Sequence, residues 1–179
     1  EVLRRPGLVE GLLQGRAVPQ ASQVLSYAMA HLRGRRVDTV TDDLMDLAGA
    51  QLLQATVSTG MEFGDMDIFH RLPEGSDRPV FSLANAAKPG HFERDEWNTF
   101  ETAGLALFMA LPGPVYALDA WDSMLATARR MGTILNADLL DDERNAFTRQ
   151  REAQIREEMR DFDRRKSRQR ADAGGDDGG

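Results

Sequence analysis

The residues best suited to chemistry are concentrated in one stretch, GDMDIFHR, which runs from Gly64 to Arg71. Its aspartates and its histidine are of the types that bind metal ions or transfer protons. A strand directs successive side chains to opposite faces, so His70 points away from Asp67 and Arg71. Asp65 and Asp67 share a face but have no third ligand nearby in the sequence, and the pattern therefore predicts no metal site here.

A second set of acidic residues lies in LDDERN, where Asp141 and Asp142 are adjacent. A turn at the end of a strand explains this pair better than general acid-base catalysis does. His31 and His91 lie in distant segments, and the sequence contains no nucleophile motif, phosphate-binding loop or dinucleotide fingerprint. It therefore predicts a protein that is not an enzyme and holds no metal or cofactor. A small enzyme that uses Asp141, Asp142 or His70 remains the alternative.

The overall composition sets further limits. The chain has 179 residues, of which 41 % are hydrophobic, and this suffices for the core of one domain. The net charge of −7 disfavours a nucleic-acid partner, and the lack of cysteine excludes disulfides and cysteine-ligated zinc. No apolar run reaches the ~20 residues that span a bilayer. Because the chain begins at Glu1 instead of methionine, we expect a fragment, with any membrane anchor upstream.

Shifts in composition divide the chain into three parts. Residues 1–22 contain glycine, proline and scattered leucine, which is typical of a linker or a short amphipathic turn. Residues 23–166 show regular apolar patterns and form the predicted domain. The segment from Arg164 onward is charged and then rich in glycine and aspartate, so residues 167–179 are predicted to be a disordered tail.

Hydrophobic periodicity within the domain predicts an α+β fold. Strand patterns occupy residues 23–32, 66–72, 79–85, 105–111 and 133–142, with 144–147 as a short partner strand. Helix patterns occupy residues 46–60, with a stripe of Leu47, Ala50, Leu53 and Val57, residues 116–132, and a final helix that begins after Thr148. This order predicts helices gathered on one face of a mainly antiparallel sheet.

The other face of such a sheet is predicted to be an open apolar groove. In the strand LALFMAL the large residues Leu105, Leu107, Met109 and Leu111 alternate with Ala106, Phe108 and Ala110. The larger set belongs against the helices, which leaves small residues flanked by Met66, Ile68 and Phe108. An exposed surface of this kind suits an amphipathic helix or an extended peptide. Alternatively, the face has no binding role or packs on the N-terminal segment.

Four phrases of the sequence resemble one protein family. They are GMEFGDMDIFHR, PVFSLANAAKPGHF, GLALFMALPGP and LLDDERNAFTRQ. In order and approximate spacing they are similar to the C-terminal domain of the ZipA family, bacterial cell-division proteins that bind FtsZ. The resemblance covers about residues 50–164, with a looser fit for the first strand. It implies a split β-α-β fold in which a six-stranded, mainly antiparallel sheet carries three helices on one face.

The resemblance also implies a function. It implies that the open face binds the C-terminal tail of FtsZ, largely as a helix. The intact protein would be a non-catalytic adaptor in septum assembly that links the Z-ring to the inner membrane, on its cytoplasmic side at the division septum. The membrane contact would come from a segment absent from this chain. A peptide-binding module of the same fold with a different partner is the alternative, because Ser26 and Ala86 stand where family members carry larger apolar residues.

The resemblance places the FtsZ-tail site on specific residues. Met66, Ile68 and Phe108 would supply buried apolar area, and small alanines would allow the peptide to approach closely. Lys88 would lie on the rim and meet an acidic residue of the peptide. The full implied set is Val24, Ser26, Ala28, Met66, Ile68, Ala84, Asn85, Ala86, Lys88, Ala106 and Phe108.

Overall fold

The structure is a computed structural model that describes residues 23–32, 42–86, 90–97, 100, 102, 104–142 and 145–174. For residues 23–32 and 42–48 the description covers the backbone alone.

The described residues form an α+β fold with one antiparallel sheet. The strands are β1 (Gln23–Leu32), β2 (Glu62–Phe63), β3 (Phe69–Arg71), β4 (Phe81–Asn85), β5 (Gly104–Leu111) and β6 (Ala137–Leu140). The helices are α1 (Asp42–Ser58), α2 (Ala117–Leu135) and α3 (Arg149–Gly174). The sheet order is β2-β3-β4-β5-β1-β6, and every neighbouring pair is antiparallel. The prediction of an α+β fold with three helices and an antiparallel sheet is confirmed.

The main core lies between the helices and one set of strand side chains. Leu83 of β4 and Leu107 of β5 are opposite each other in the sheet and both belong to this core. Trp121 of α2 and Ile155 of α3 are completely buried in it. The two helices predicted here are therefore confirmed, and so is the start of α3, where the backbone N–H of Arg151 donates to Thr148 Oγ1.

The apolar stripe predicted for α1 is wrong by about one residue. Leu52 and Ala55 are buried in the core, whereas Val57 is 77 % exposed. Thr56 is buried because its hydroxyl donates to the Leu53 carbonyl oxygen at 2.8 Å, which satisfies the polar group within the helix. The periodicity alone does not reveal that a threonine replaces an aliphatic residue on the buried side.

The boundary between α2 and β6 also differs from the prediction. The helix continues to Leu135 instead of ending at Gly132, and Asn136 ends it in the left-handed conformation with φ of 50°. A Cβ at Gly132 would lie 3.1 Å from the Ala137 carbonyl oxygen, so this glycine permits the close approach of β6. The predicted partner strand at 144–147 is limited to one bridge, between Leu140 and Ala146.

Helix α3 continues to Gly174, through most of the segment that was predicted to be disordered. Ion pairs join Glu157 to Arg160 and Arg164, and Arg164 also pairs with Asp161. Hydrogen bonds from Arg164 and then Arg160 lower the pKa of Glu157, and a hydrogen bond from Arg164 lowers that of Asp161. These charges, spaced three to seven residues apart, support the solvated part of the helix that leads into this segment.

The helical content of α3 is expected to fall on acidification, and to fall less in an Arg164→Gln variant. Because the pKa values of Glu157 and Asp161 are lowered in the helix, their stabilisation is complete above the unfolded values. It is lost as the pH drops through the lowered values, below roughly pH 4. Circular dichroism at 222 nm measures this loss. Arg168→Gln is the matched control, and identical pH profiles for Arg164→Gln and wild type would contradict the role of these pairs.

Candidate peptide-binding face

The side of the sheet opposite the main core carries a separate apolar cluster. Ser82 lies opposite Phe108, and Ala84 lies opposite Ala106, across β4 and β5. Ile68, Ala84 and Phe108 contact one another, with Met66 packed against them. Ala86 and Ala106 form a smaller adjoining cluster with Leu140. We call the set of Ile68, Ser82, Ala84, Ala86, Ala106 and Phe108 the second face.

The second face is buried, which corrects the expectation of an open groove. Ile68 is 0 % exposed, and Ala84 and Phe108 are each 2 % exposed. Met66 remains partly exposed. Leaving a phenylalanine and an isoleucine in water would cost roughly 1.5–3 kcal/mol each, so covering them is strongly favoured. The alternation of side chains is therefore as predicted for β4 and β5, but their exposure is not.

Met66 lies in a turn and not in the strand that the sequence predicts for residues 66–72. Residues Asp65–Asp67 form a short 3₁₀ turn in which Met66 and Asp67 have φ values of 61° and 54°. The left-handed conformation is unfavourable for residues other than glycine and is enriched at functional sites. The turn is closed by hydrogen bonds from Gly64 N to the Ile68 carbonyl and from Asp67 N to the Gly64 carbonyl. It brings Met66 against the cluster while keeping Ile68 at its centre.

An aromatic cluster supports this turn from the main-core side. Phe92 lies between Phe69 and Phe100, with ring centroids at 5.3 and 5.4 Å, and stacks on Trp97 at 5.8 Å. The backbone N–H of Phe92 also donates to the Asp67 carbonyl oxygen at 2.8 Å. Pattern reasoning missed this support, because residues 90–97 are irregular and have no periodicity to read.

The histidine of the turn region has a structural environment. His70 Nε2 lies 2.8 Å from the Asp65 carbonyl oxygen, and Nδ1 lies 2.7 Å from Ser82 Oγ. A carbonyl oxygen only accepts, so Nε2 donates its proton to Asp65; in the neutral ring Nδ1 then accepts from the Ser82 hydroxyl. His70 thereby ties the turn to β4.

Asn85 lies on the main-core side of β4, which differs from the site that the resemblance implies. Its backbone is paired with Leu105, a residue of the main core, and its Oδ1 accepts a hydrogen bond from Thr102 Oγ1 at 2.6 Å. Neighbours along a strand face opposite ways, so Ala84 and Ala86 can lie on the second face only if Asn85 does not.

In β1 the backbone register gives the pairing partners of three predicted site residues. Val24 lies opposite Ala110 and Ser26 lies opposite Phe108, in the rows of the second face. An irregularity between Ser26 and Ala28 then shifts the pairing, so that Ala28 lies opposite Leu107, in a main-core row. Simple alternation had placed Ala28 with Ser26. Lys88 lies outside the described residues.

The acidic pair in LDDERN forms a turn. Asp141 Oδ1 accepts a hydrogen bond from Asn145 N at 2.8 Å, and the Asp141 N–H donates to the Asn145 carbonyl. Asp142 forms an ion pair with Arg151 at 3.2 Å. The turn interpretation of these carboxylates is confirmed. Within the described part of the chain, no group of histidine and acidic side chains is arranged to hold a metal ion.

A cavity of about 360 Å³ lies elsewhere, between the loop after β5 and helix α3. Its lining includes Tyr116, Asp163 and Lys166. The Asp163 carboxylate accepts hydrogen bonds from the backbone N–H groups of Ala117 and Leu118, at 2.8 and 3.1 Å. It therefore caps the N-terminus of α2 from a neighbouring helix and stabilises the packing of α3.

The described helices include none with the length and apolar character needed to cross a membrane.

Fold and site together define a small α+β domain whose sheet carries an apolar face separate from its helical core. The family model described as ZipA, C-terminal FtsZ-binding domain, matches residues 37–158, and the chain belongs to this family. The resemblance seen in the sequence is confirmed.

Individual relatives agree with the family match. The chain is 46 % identical to the cell division protein ZipA of Xanthomonas euvesicatoria pv. vesicatoria over 120 residues, which is 66 % of this chain and 49 % of the relative. It is 37 % identical to ZipA of Pseudomonas fluorescens strain Pf-5 over 149 residues, covering 82 % and 49 % of the two chains. The chain thus spans about half the length of the curated relatives it matches.

Proposed function

We propose that this domain binds the C-terminal tail of FtsZ on the second face. Within a longer protein it then acts as a non-catalytic adaptor in septum assembly, linking the Z-ring to the inner membrane on the cytoplasmic side. The observation that carries the proposal is the apolar cluster of Ile68, Ala84 and Phe108, built apart from the main core. Membership of the ZipA C-terminal family supplies the identity of the partner.

On this proposal the second face, which is buried in the structure, is uncovered to receive the tail, and its side chains then suit an amphipathic helix. Ala84 and Ala106 are opposite each other at its centre, where small side chains let a peptide backbone approach closely. Ile68 and Phe108 supply the apolar area, and Met66 at the edge can adjust to the peptide because its side chain is flexible. Val24 and Ser26, whose backbone lies opposite Ala110 and Phe108, are proposed to extend the face, and Lys88 is proposed to meet an acidic residue of the tail.

The carboxylates and the histidine that could serve catalysis have structural partners instead. Asp141 closes a turn, Asp142 pairs with Arg151, and His70 bridges the turn and β4. These contacts favour the adaptor over the small enzyme considered from the sequence.

A single tail in this site is expected to bind weakly. A short helix on a small face buries little area, which corresponds to a Kd on the order of micromolar or higher. An FtsZ filament displays many tails, so avidity compensates for weak single contacts.

A methyl NMR titration is expected to locate the FtsZ-tail peptide on the second face. The isoleucines are Ile68, Ile134 and Ile155, and Ile68 alone belongs to that face, whereas Ile155 is in the main core. With isoleucine methyls isotopically labelled, a synthetic FtsZ tail should shift the Ile68 signal in a saturable way and leave Ile155 unchanged. A saturable shift at Ile155 with none at Ile68 would refute the placement.

A different peptide partner for the same face is the second candidate, favoured by the small residue Ala86 on this face. It predicts no saturable shift of Ile68 with the native FtsZ tail, or only a shift that a scrambled tail reproduces. A response to the native tail alone excludes this candidate.

A further inference from the structure

The last part of α3 carries a concentrated positive charge. Residues 164–170, with the sequence RRKSRQR, include five cations and no acidic residue, which gives a net charge of +5. We call this run the basic end of α3. The whole chain has a net charge of −7, so the residues outside the run sum to −12. The family match stops at residue 158, and the basic end lies beyond it.

The cations of the basic end are accessible to a partner. Arg165, Arg168 and Arg170 are exposed, and none of them forms an ion pair with another described residue. Every described residue of α3 after Lys166 is exposed as well. Because no carboxylate of the described chain neutralises these three arginines, they retain their attraction for an external anion.

The acidic remainder of the protein does not cancel this attraction. Phe162 is the last apolar residue of α3 that packs against the main core. Arg170 lies eight positions further along the helix, which corresponds to a distance of about 12 Å. The Debye length is about 10 Å at 0.1 M salt, so the acidic side chains around the core are largely screened from the far end of α3.

An exposed aromatic residue lies at the same end of the molecule. Tyr116, Lys166 and Arg170 line the cavity between the loop after β5 and α3, and Tyr116 is 61 % exposed. Of the two carboxylates in the lining, Asp163 accepts hydrogen bonds from the start of α2, which leaves Asp119 as the opposing charge. Tyrosine beside lysine and arginine is typical of surfaces that meet the polar headgroups of a membrane.

We propose that the basic end of α3, together with Tyr116, binds the surface of a membrane that contains anionic phospholipids. The contact is electrostatic and shallow, and it adds to any anchor elsewhere in the longer protein. It attracts the domain to the lipid surface without inserting a helix into the bilayer.

The arrangement of the cations favours a lipid surface over an acidic peptide. Arg164 and Arg168 are four residues apart and share one side of the helix, whereas Lys166 and Arg170 share another, which lines the cavity. Cations spread around a helix fit a continuous layer of phosphate groups better than the fixed carboxylates of one peptide. The preference for a membrane also rests on the proposed function, which places the domain beside the inner membrane.

Sedimentation with lipid vesicles tests the proposal. The 179-residue chain should bind vesicles that contain phosphatidylglycerol and phosphatidylcholine, and should not bind phosphatidylcholine alone. Each arginine near an anionic surface strengthens binding about fivefold, so Arg165→Gln with Arg168→Gln should weaken it roughly 30-fold. Glutamine is a good helix former, and circular dichroism checks that α3 is retained.

A matched pair of substitutions controls for net charge. Arg130 lies on α2 and Arg149 at the start of α3, and both are exposed and distant in sequence from the basic end. Arg130→Gln with Arg149→Gln removes the same charge, and its vesicle affinity should stay close to that of wild type. Raising the salt from 0.1 M to 1 M shortens the Debye length to about 3 Å and should release the wild-type chain.

The aromatic part of the contact has its own variant. Tyr116→Ala removes no charge, so it should weaken vesicle binding severalfold while the dependence on salt stays the same. An affinity equal to that of wild type would remove Tyr116 from the proposed contact.

The outcomes separate the possible partners. Failure to bind anionic vesicles, equal binding to neutral ones, or an equal loss in the control pair overturns the proposal. Binding of a polyglutamate peptide that needs Arg165 and Arg168, without vesicle binding, overturns it in favour of an acidic protein. Vesicle binding with no response of Ile68 to the FtsZ tail supports the lipid contact and refutes the proposed function, and the opposite result does the reverse.

Discussion

Replacing Phe108 with alanine is expected to weaken FtsZ-tail binding at least tenfold while leaving a folded protein. Phe108 is the largest side chain of the second face, and losing its apolar contact with the tail should cost more than the ~1.4 kcal/mol that corresponds to a tenfold change in Kd. Calorimetric titration with the tail peptide measures the affinity, and the thermal unfolding transition reports that the fold is intact.

The neighbouring residue provides a matched control. Leu107 lies next to Phe108 in β5 but belongs to the main core. Leu107→Ala should lower the free energy of unfolding by about 2–5 kcal/mol through loss of core packing, with tail affinity unchanged at a temperature where the variant is folded. Unchanged tail affinity in Phe108→Ala would show that the peptide does not bind at this cluster.

Replacing Phe92 with alanine should lower the free energy of unfolding by about 3–5 kcal/mol. The side chain is 1 % exposed and contacts Phe69, Trp97 and Phe100 in the aromatic cluster. The Phe92 N–H also donates a hydrogen bond to the Asp67 carbonyl oxygen, so the turn that carries Met66 should become less rigid in this variant. The affinity for the tail should then fall even though Phe92 does not contact the peptide. Urea denaturation measures the stability.

An exposed aromatic residue serves as the comparison for Phe92. Tyr116 is 61 % exposed, so Tyr116→Ala should change the free energy of unfolding by no more than about 0.5 kcal/mol. A similar small change in Phe92→Ala would mean that the aromatic cluster contributes little to stability.

Regular alternation was the most reliable guide in the sequence. In β5 the period of two separates Leu107 from Phe108 correctly, because a strand has no other way to place successive side chains. The same rule failed at Ala28, since an irregular residue in β1 changes the register and leaves no mark in the pattern. It failed again at Met66, because a left-handed methionine is set by surrounding contacts and not by its own preference.

The sequence could not predict the exposure of the second face, and the reason is different. A pattern can assign Ile68 and Ala84 to a face, but burial depends on what else in the chain or its surroundings lies against them. Likewise, composition predicted disorder for residues 167–179, although the helix continues to Gly174.

The cap on α2 has a practical consequence for defining the minimal folding unit. The family match ends at residue 158, yet Asp163 receives the first N–H groups of α2. A recombinant fragment that ended at residue 158 would lack the Asp163 carboxylate that accepts hydrogen bonds from the backbone N–H groups of Ala117 and Leu118. The folding unit therefore extends at least to Asp163, five residues beyond the end of the family match at residue 158.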